Sequence, residues 1–287
     1  MSDFKRVSIL GPGLLGGSIA LAWEARHGSD NLTLWVRRAE RATELRNHGF
    51  AHVHTDLGEA VRGADLIILA VPVGAMEGLA EELLSCELSP GVLVTDVGSV
   101  KGLPHRLAGT RLQGAGVPFL GSHPMAGSEQ SGFAAARADL LSGAPCIITN
   151  EDELDEDLVA RLLAFWSALG MRAAVMSPAE HDQLVARISH VPHALAVACA
   201  LVALEDRDHG QFSGGGLRDT SRVAAGDPAL WTEIFLENRE AVLAPLRESG
   251  ELIMRLADLI EKGQEDALAT VLEEAQTRRL SLPDQKS

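Results

Sequence analysis

The chain has 287 residues, room for about two domains of ordinary size, each able to bury a core of its own. With 46% hydrophobic and 23% charged residues and a mean hydropathy of +0.08 it has the balance of a soluble globular protein, and no run approaches the ~18 uninterrupted apolar residues of a membrane span. A formal net charge of -15 argues against a nucleic-acid backbone as partner, and Cys86, Cys146 and Cys199 lie too far apart for a disulfide framework or a CxxC metal site, so free thiols in a reducing cytoplasm are expected.

In chain order, the first strand is expected at RVSIL (6 to 10), followed at once by the glycine loop GPGLLGG and a helix. The basic pair Lys5-Arg6 before apolar residues has the look of a secretory signal, but the glycines are spaced for another purpose and no small-residue cleavage site follows a clean apolar core. Further strands are expected at NLTLWV (31 to 36), ADLIILAVP (64 to 72), GVLVTDVG (91 to 98), VPFLGSHP (117 to 124), PCIIT (145 to 149) and MRAAVM (171 to 176). Helical patterns such as GAMEGLAEELL and the acid-started DELDEDLVARLLAFWSALG lie between them, the acids favouring a helix N-terminus. This alternation predicts an α/β fold, a doubly wound and mostly parallel sheet, over residues 1–177. After MSPAEHD the strand pattern stops, and residues 178–287 are expected to form an all-helical domain in which Pro192 and Pro245 kink or divide the helices. So apolar a helical half is expected to bury a face against a second copy, giving a homodimer.

Gly11, Gly13 and Gly16 stand in the GxGxxG register of a Rossmann-type dinucleotide fold. The first permits the tight turn, the second lets a pyrophosphate approach the backbone, and the third lets helix and strand pack closely. The cofactor-binding set is accordingly Gly11, Gly13, Leu14, Leu15 and Gly16, with Val71 and Pro72 at the end of a later strand and Ser99 after the next. Where an acid would receive a ribose hydroxyl, the second strand ends in Arg37 and Arg38; guanidinium groups there suit a 2′-phosphate, so NADP is expected over NAD.

Ligands of open α/β sheets bind beyond the carboxyl ends of the strands, which singles out TDVGSVK, with Ser99 and Lys101, and GSHPMAGSEQSG, with His123, Ser128 and Glu129. A histidine in a strand is more often structural than catalytic, but the chain has no tyrosine, so proton chemistry near neutrality falls to histidine. The helical half offers His181, His190 and His193; two neighbouring histidines without further ligands do not make a zinc site, so no metal is expected. After Gly214-Gly215-Gly216, Arg218 and Arg222 share a face if helical, a clamp for carboxylates unless they merely pair with surface acids.

GPGLLGGS, DVGSVK, GSHPMAGSEQSG, SHVPHAL and GGGLRDTSRVAAGDPALW, in that order, resemble the prephenate and arogenate dehydrogenase family of tyrosine biosynthesis, in a compact form without added chorismate mutase or ACT regions. The resemblance implies NAD(P)-dependent oxidative decarboxylation of prephenate or arogenate. It implies that His123 takes the proton of the ring hydroxyl as hydride leaves, that Ser99 contacts the same hydroxyl and orients His123, and that Arg222 binds a substrate carboxylate with His193 and Arg218 beside it. His181, Ser189, His190, Ser128, Glu129 and Trp231 fall on further family positions near the substrate; the choice between prephenate and arogenate stays open, one acid such as Glu129 being a candidate for telling keto group from ammonium. Two other readings stay open: a β-hydroxyacid dehydrogenase, which would need a catalytic lysine in the helical half, and a non-catalytic dinucleotide sensor, which would need the glycine loop but not His123, Ser99 and Arg222 together.

Overall fold

A computed structural model describes residues 4–128, 130–151 and 154–282. Its eight strands form one sheet in the order β3-β2-β1-β4-β5-β6-β7-β8. In the first half, β1 (Val7–Leu10), β2 (Leu32–Trp35), β3 (Val53–His54), β4 (Leu66–Leu69), β5 (Leu93–Asp96) and β6 (Phe119–Pro124) run parallel. They are joined by α1 (Leu14–His27), α2 (Ala39–Asn47), α3 (Leu57–Val61), α4 (Val73–Leu84) and a tight helical run from α5 (Gly102–Pro104) through a π turn into α6 (Thr110–Gly114). β7 (Pro145–Thr149) then reverses to pair antiparallel with β6, and after α7 (Glu156–Ala168) the last strand, β8 (Arg172–Met176), lies parallel to β7.

The central strands read VSIL and LIIL and are buried at every residue, because helices cover both faces of the sheet. One apolar layer packs Trp23, Phe165 and Trp166 against one face; the other packs Met76, Leu83 and Phe119. The strands are shorter than the apolar runs suggest, and β3, two residues long, was not anticipated.

Among the described residues, only helices and turns follow β8. Ser177 caps α8 (Pro178–Val185) in a reciprocal capping box with Glu180. A π turn over Ala186–His190 leads into α9 (Val191–Ala203), then α10 (Gly215–Ser221), α11 (Pro228–Glu237), α12 (Arg239–Glu261) and α13 (Glu265–Leu280). Pro192 follows directly on the π turn that interrupts the otherwise continuous helical run Pro178–Ala203, so the expected division falls there, between α8 and α9. Pro245 lies inside α12, whose 23 residues run unbroken through it, so it does not divide that helix. The glycine triplet opens α10, and Arg222 begins a 3-10 turn after it. The α-helical register that would align Arg218 with Arg222 therefore ends at Ser221.

Candidate active site

The strand order reverses between β1 and β4, and beyond the carboxyl ends of β1, β4, β5 and β6 a cleft of about 690 Å³ opens between the sheet and the helical half. Gly13, Leu14, Leu15 and Gly16 line it from the glycine loop, Val71 and Pro72 from the end of β4, Ser99 from the turn after β5, and His123 and Ser128 from β6 and its loop. Ser189, His190, Arg222 and Trp231 face them from the helical half. A larger cavity of about 880 Å³, bordered by Arg106, Asp182 and Arg239, contains neither the glycine loop nor His123.

The loop fits a dinucleotide. A Cβ at Gly16 would stand 2.8 Å from both Ala70 Cβ and the Gly11 carbonyl oxygen, so α1 starts hard against the sheet. At Gly13, the N-cap of α1, no side chain caps the helix and a Cβ would meet nothing within 4 Å, which leaves free N–H groups facing open space where phosphates would sit. Gly11, at φ +90, makes the turn and lies just off the cleft wall. Arg37 and Arg38 are exposed beyond β2, off the cleft wall, with no side-chain ion pair or hydrogen bond recorded among the described residues.

His123, 8% exposed, is held from behind. Its Nδ1 lies 2.8 Å from Nε2 of the fully buried His181, whose own Nδ1 lies 2.8 Å from Asp182 Oδ1. The Asp182 carboxylate also accepts the backbone N–H of Lys101 and of Gly102, each at 2.8 Å. Its burial favours the neutral acid, yet the bonds from His181, Gly102 and Lys101 outweigh that and hold its pKa below the ordinary value. An ionised Asp182 fixes the rest of the line. His181 donates from Nδ1 and accepts at Nε2, so His123 donates from Nδ1 and presents an unprotonated Nε2. Burial above all, then the neighbouring His181, Lys101 and His190, hold His123 neutral by pushing its pKa well below 6.5. Burial likewise lowers His181.

β5 and β6 pair only at Val94–Phe119 and Thr95–Leu120, and beyond that their ends are tied through a fully buried lysine. Lys101 Nζ bonds the Asp96 carboxylate and donates to the Ser122 carbonyl at 2.7 Å, fixing the residue before His123. Ser122 is further held by Thr95 Oγ1 at 2.8 Å and Trp166 Nε1 at 3.0 Å.

The expected site residues therefore divide. Ser99, His123, Ser128, Ser189, His190, Arg222 and Trp231 meet in one cleft. His181 does not line it but backs His123, and His181, not Ser99, is the recorded partner orienting that ring. His193 is buried behind the wall, stacked on Trp231 with ring centroids 3.4 Å apart. Arg218 is exposed and off the cleft of its own chain. Glu129 lies outside the described residues.

Four residues of the site were missed. Asp182 ends the histidine line, and its place beside His181 in the sequence was a signal. Asn238, buried, uses its amide to bond the Asp182 carbonyl at 2.9 Å and His190 Nδ1 at 3.2 Å. Glu233 and Glu237 line the cleft from α11, where an i, i+4 pair of acids reads in sequence as a solvated helix face.

Residues 19–175 match the family model described as "Prephenate dehydrogenase, nucleotide-binding domain", and residues 177–274 match "Prephenate dehydrogenase, dimerization domain". The cyclohexadienyl dehydrogenase of Zymomonas mobilis is 33% identical over 98% of this chain and 97% of its own length. The crystal structure of prephenate dehydrogenase from Aquifex aeolicus in complex with hydroxyphenyl propionate and NAD+ superposes with a TM-score of 0.85 at 28% identity, covering 97% of this chain and 98% of that one. Arogenate dehydrogenase of Synechocystis superposes with a TM-score of 0.78 at 29% identity, covering 96% of this chain and 98% of the other.

Proposed function

The chain belongs to the prephenate dehydrogenase family, and on that premise we propose that its cleft performs the oxidative decarboxylation of prephenate, arogenate or both through His123 as the base. The observation that carries this is the line Asp182–His181–His123, which ends in a lone pair on the cleft wall facing the glycine loop. A bound nicotinamide dinucleotide supplies the hydride acceptor. His123 Nε2 accepts the ring hydroxyl proton as the carbon–hydrogen bond beside it breaks, and His181 with ionised Asp182 stabilises the imidazolium that forms. Loss of CO2 leaves an aromatic phenolate, to which His123 returns the same proton; substrate, product and CO2 balance with one hydride transferred and no net proton. Ser99 hydrogen-bonds the hydroxyl, and Arg222 binds a carboxylate. Ser128, Ser189, His190 and Trp231 shape the ring pocket, with His193 backing Trp231.

Arg37 and Arg38, exposed directly after β2 where the dinucleotide fold otherwise carries an acid for the ribose, favour NADP over NAD in this reading. We place the boundary between the dinucleotide domain and the substrate and dimerisation domain at 177/178, and the working form is a cytoplasmic homodimer. Pro178–Ala203 is apolar and long enough to cross a membrane, but its His181, Asp182 and His190 are hydrogen-bonded inside the protein, and its exposed Leu201 and Val202 suit a second copy.

Steady-state assays crossing prephenate and arogenate with NAD and NADP test the reading. Formation of NADPH with CO2 release is expected. Absence of reduced nucleotide with both substrates would overturn the activity, and a clear preference for NAD would overturn the role of the arginine pair alone.

A further inference from the structure

The wall contributed by α11 carries two acids that this chemistry does not use. Glu233 and Glu237, four residues apart, lie on one face of the helix and line the same cleft as His123 and Arg222. Glu233 is already engaged, its Oε1 accepting the backbone N–H of Gly74 at 3.2 Å across the cleft. Glu237 hydrogen-bonds Glu233, and the further charge bearing on it, from α8, is Asp182, also negative. Glu237 also borders the larger cavity, together with Arg106, Glu151, Arg239 and Glu240, and no ion pair from any of these to Glu233 or Glu237 is recorded among the described residues. Two carboxyl groups in hydrogen-bond contact hold one proton between them. Burial first, and then the Glu233 carboxylate, push the Glu237 carboxyl up to about 7.

A second observation shows that this wall is made for a ligand. His190, 1% exposed, lines the cleft; its Nδ1 accepts from the Asn238 amide at 3.2 Å, so its Nε2 carries the hydrogen. No protein partner for that N–H is recorded among the described residues, so an otherwise buried ring turns one open donor to the cleft, where a ligand oxygen can accept it. The helical half thus presents the His190 donor together with a carboxyl pair for which no cation partner is recorded among the described residues.

We propose that Glu237, supported by Glu233, determines specificity by receiving the substrate's amino group, so that the ammonium of arogenate takes the place of the shared proton and arogenate is preferred over prephenate. This rests on the functional reading above. The keto group of prephenate offers nothing to a carboxylate, and its second negative charge is repelled once the pair is fully ionised. As pH rises through about 7 the pair loses its proton, so the ratio of kcat/KM for arogenate to that for prephenate should rise with pH.

The test measures both substrates with the native enzyme and with Glu237→Gln from pH 6 to 9. Glu237→Gln is expected to lower the arogenate-to-prephenate ratio by about 10- to 100-fold, the worth of one hydrogen bond to a charged group, and to flatten its pH dependence. A ratio unchanged by the substitution overturns the proposal while leaving the activity intact; a native enzyme that turns over neither substrate overturns the functional reading and the proposal with it. Calorimetry in buffers of different ionisation enthalpy gives a second reading near pH 6.5. Proton release on binding arogenate but not prephenate is expected, and equal proton exchange with both would count against the pair.

Discussion

At the scale of single residues, the site turns on how a neutral imidazole is kept ready in the interior. Burial and a cationic neighbour hold His123 neutral, and in the proposed reaction His181 and Asp182 behind it would stabilise the charge it acquires. His123→Asn removes the base and is expected to lower kcat by about 10²- to 10⁴-fold with KM near its native value, read from initial rates. Asp182→Asn should act in the same direction without touching the cleft. An amide cannot accept from His181, Lys101 and Gly102 at once, so the tautomer that frees His123 Nε2 is no longer enforced, and a loss of roughly 10²-fold or more in kcat is expected. The sign of the pH dependence follows from the lowered pKa. In the proposed reaction the active form of His123 is the neutral one, so kcat/KM for prephenate, which does not compete for the proton of the Glu233–Glu237 pair, should hold as pH falls to 6.5 and decline only below it. An acid limb at or above 6.5 with prephenate, in native enzyme and in Glu237→Gln alike, would show that the interior does not hold the ring neutral.

At the scale of elements, the join between β1, its glycine loop and α1 separates packing from binding within one short segment. Gly16→Ala drives a methyl to 2.8 Å from Ala70 Cβ and the Gly11 carbonyl oxygen, so α1 must move off the sheet, at a cost of about 1–3 kcal/mol read by thermal or denaturant unfolding. Gly13→Ala meets no atom within 4 Å and should leave stability nearly unchanged while raising KM for the dinucleotide, because its methyl points into the space the phosphates use. If both variants lost stability equally, the open space at Gly13 would be illusory. This loop was legible in the sequence because all its requirements are local: strand, turn and helix succeed one another within a dozen residues. The reversed β7 was not legible, since PCIIT satisfies either pairing direction and only its neighbour β6 decides. Nor was the line from His123 to Asp182, in which His123 and His181 lie 58 residues apart and meet only because α8 packs across the end of the sheet. Glu233 and Glu237 were hidden for a different reason. Acids one turn apart mark a solvated face until a second domain covers them, and here Gly74 of α4 lies across from Glu233.

At the scale of the whole molecule, the helical half leaves large apolar side chains uncovered in the single chain. α13 has sixteen residues and not one buried, although a helix without an apolar face packed on something has little to hold it in water. Leu201 and Val202 on α9, Phe212 after it, Leu236 on α11 and Met254 on α12 are each at least 64% exposed, more large apolar surface than a monomer ordinarily leaves in contact with water. A second copy of the chain is the occupant most consistent with a match, over residues 177–274, to a model described as a dimerization domain. The arrangement would also give a place to Arg218, which is exposed and does not line the cleft of its own chain. Val202→Glu combined with Leu201→Glu puts two charges where a neighbour would have to exclude water, a cost no surface ion pair offsets. Light scattering or sedimentation of the native protein at micromolar concentration should therefore give twice the chain mass, and the double variant should give the mass of one chain with its α/β half still folded. A native protein that sediments as a monomer, or a variant that keeps the doubled mass, would move the interface elsewhere and leave the exposed faces of α9 and α13 without a partner.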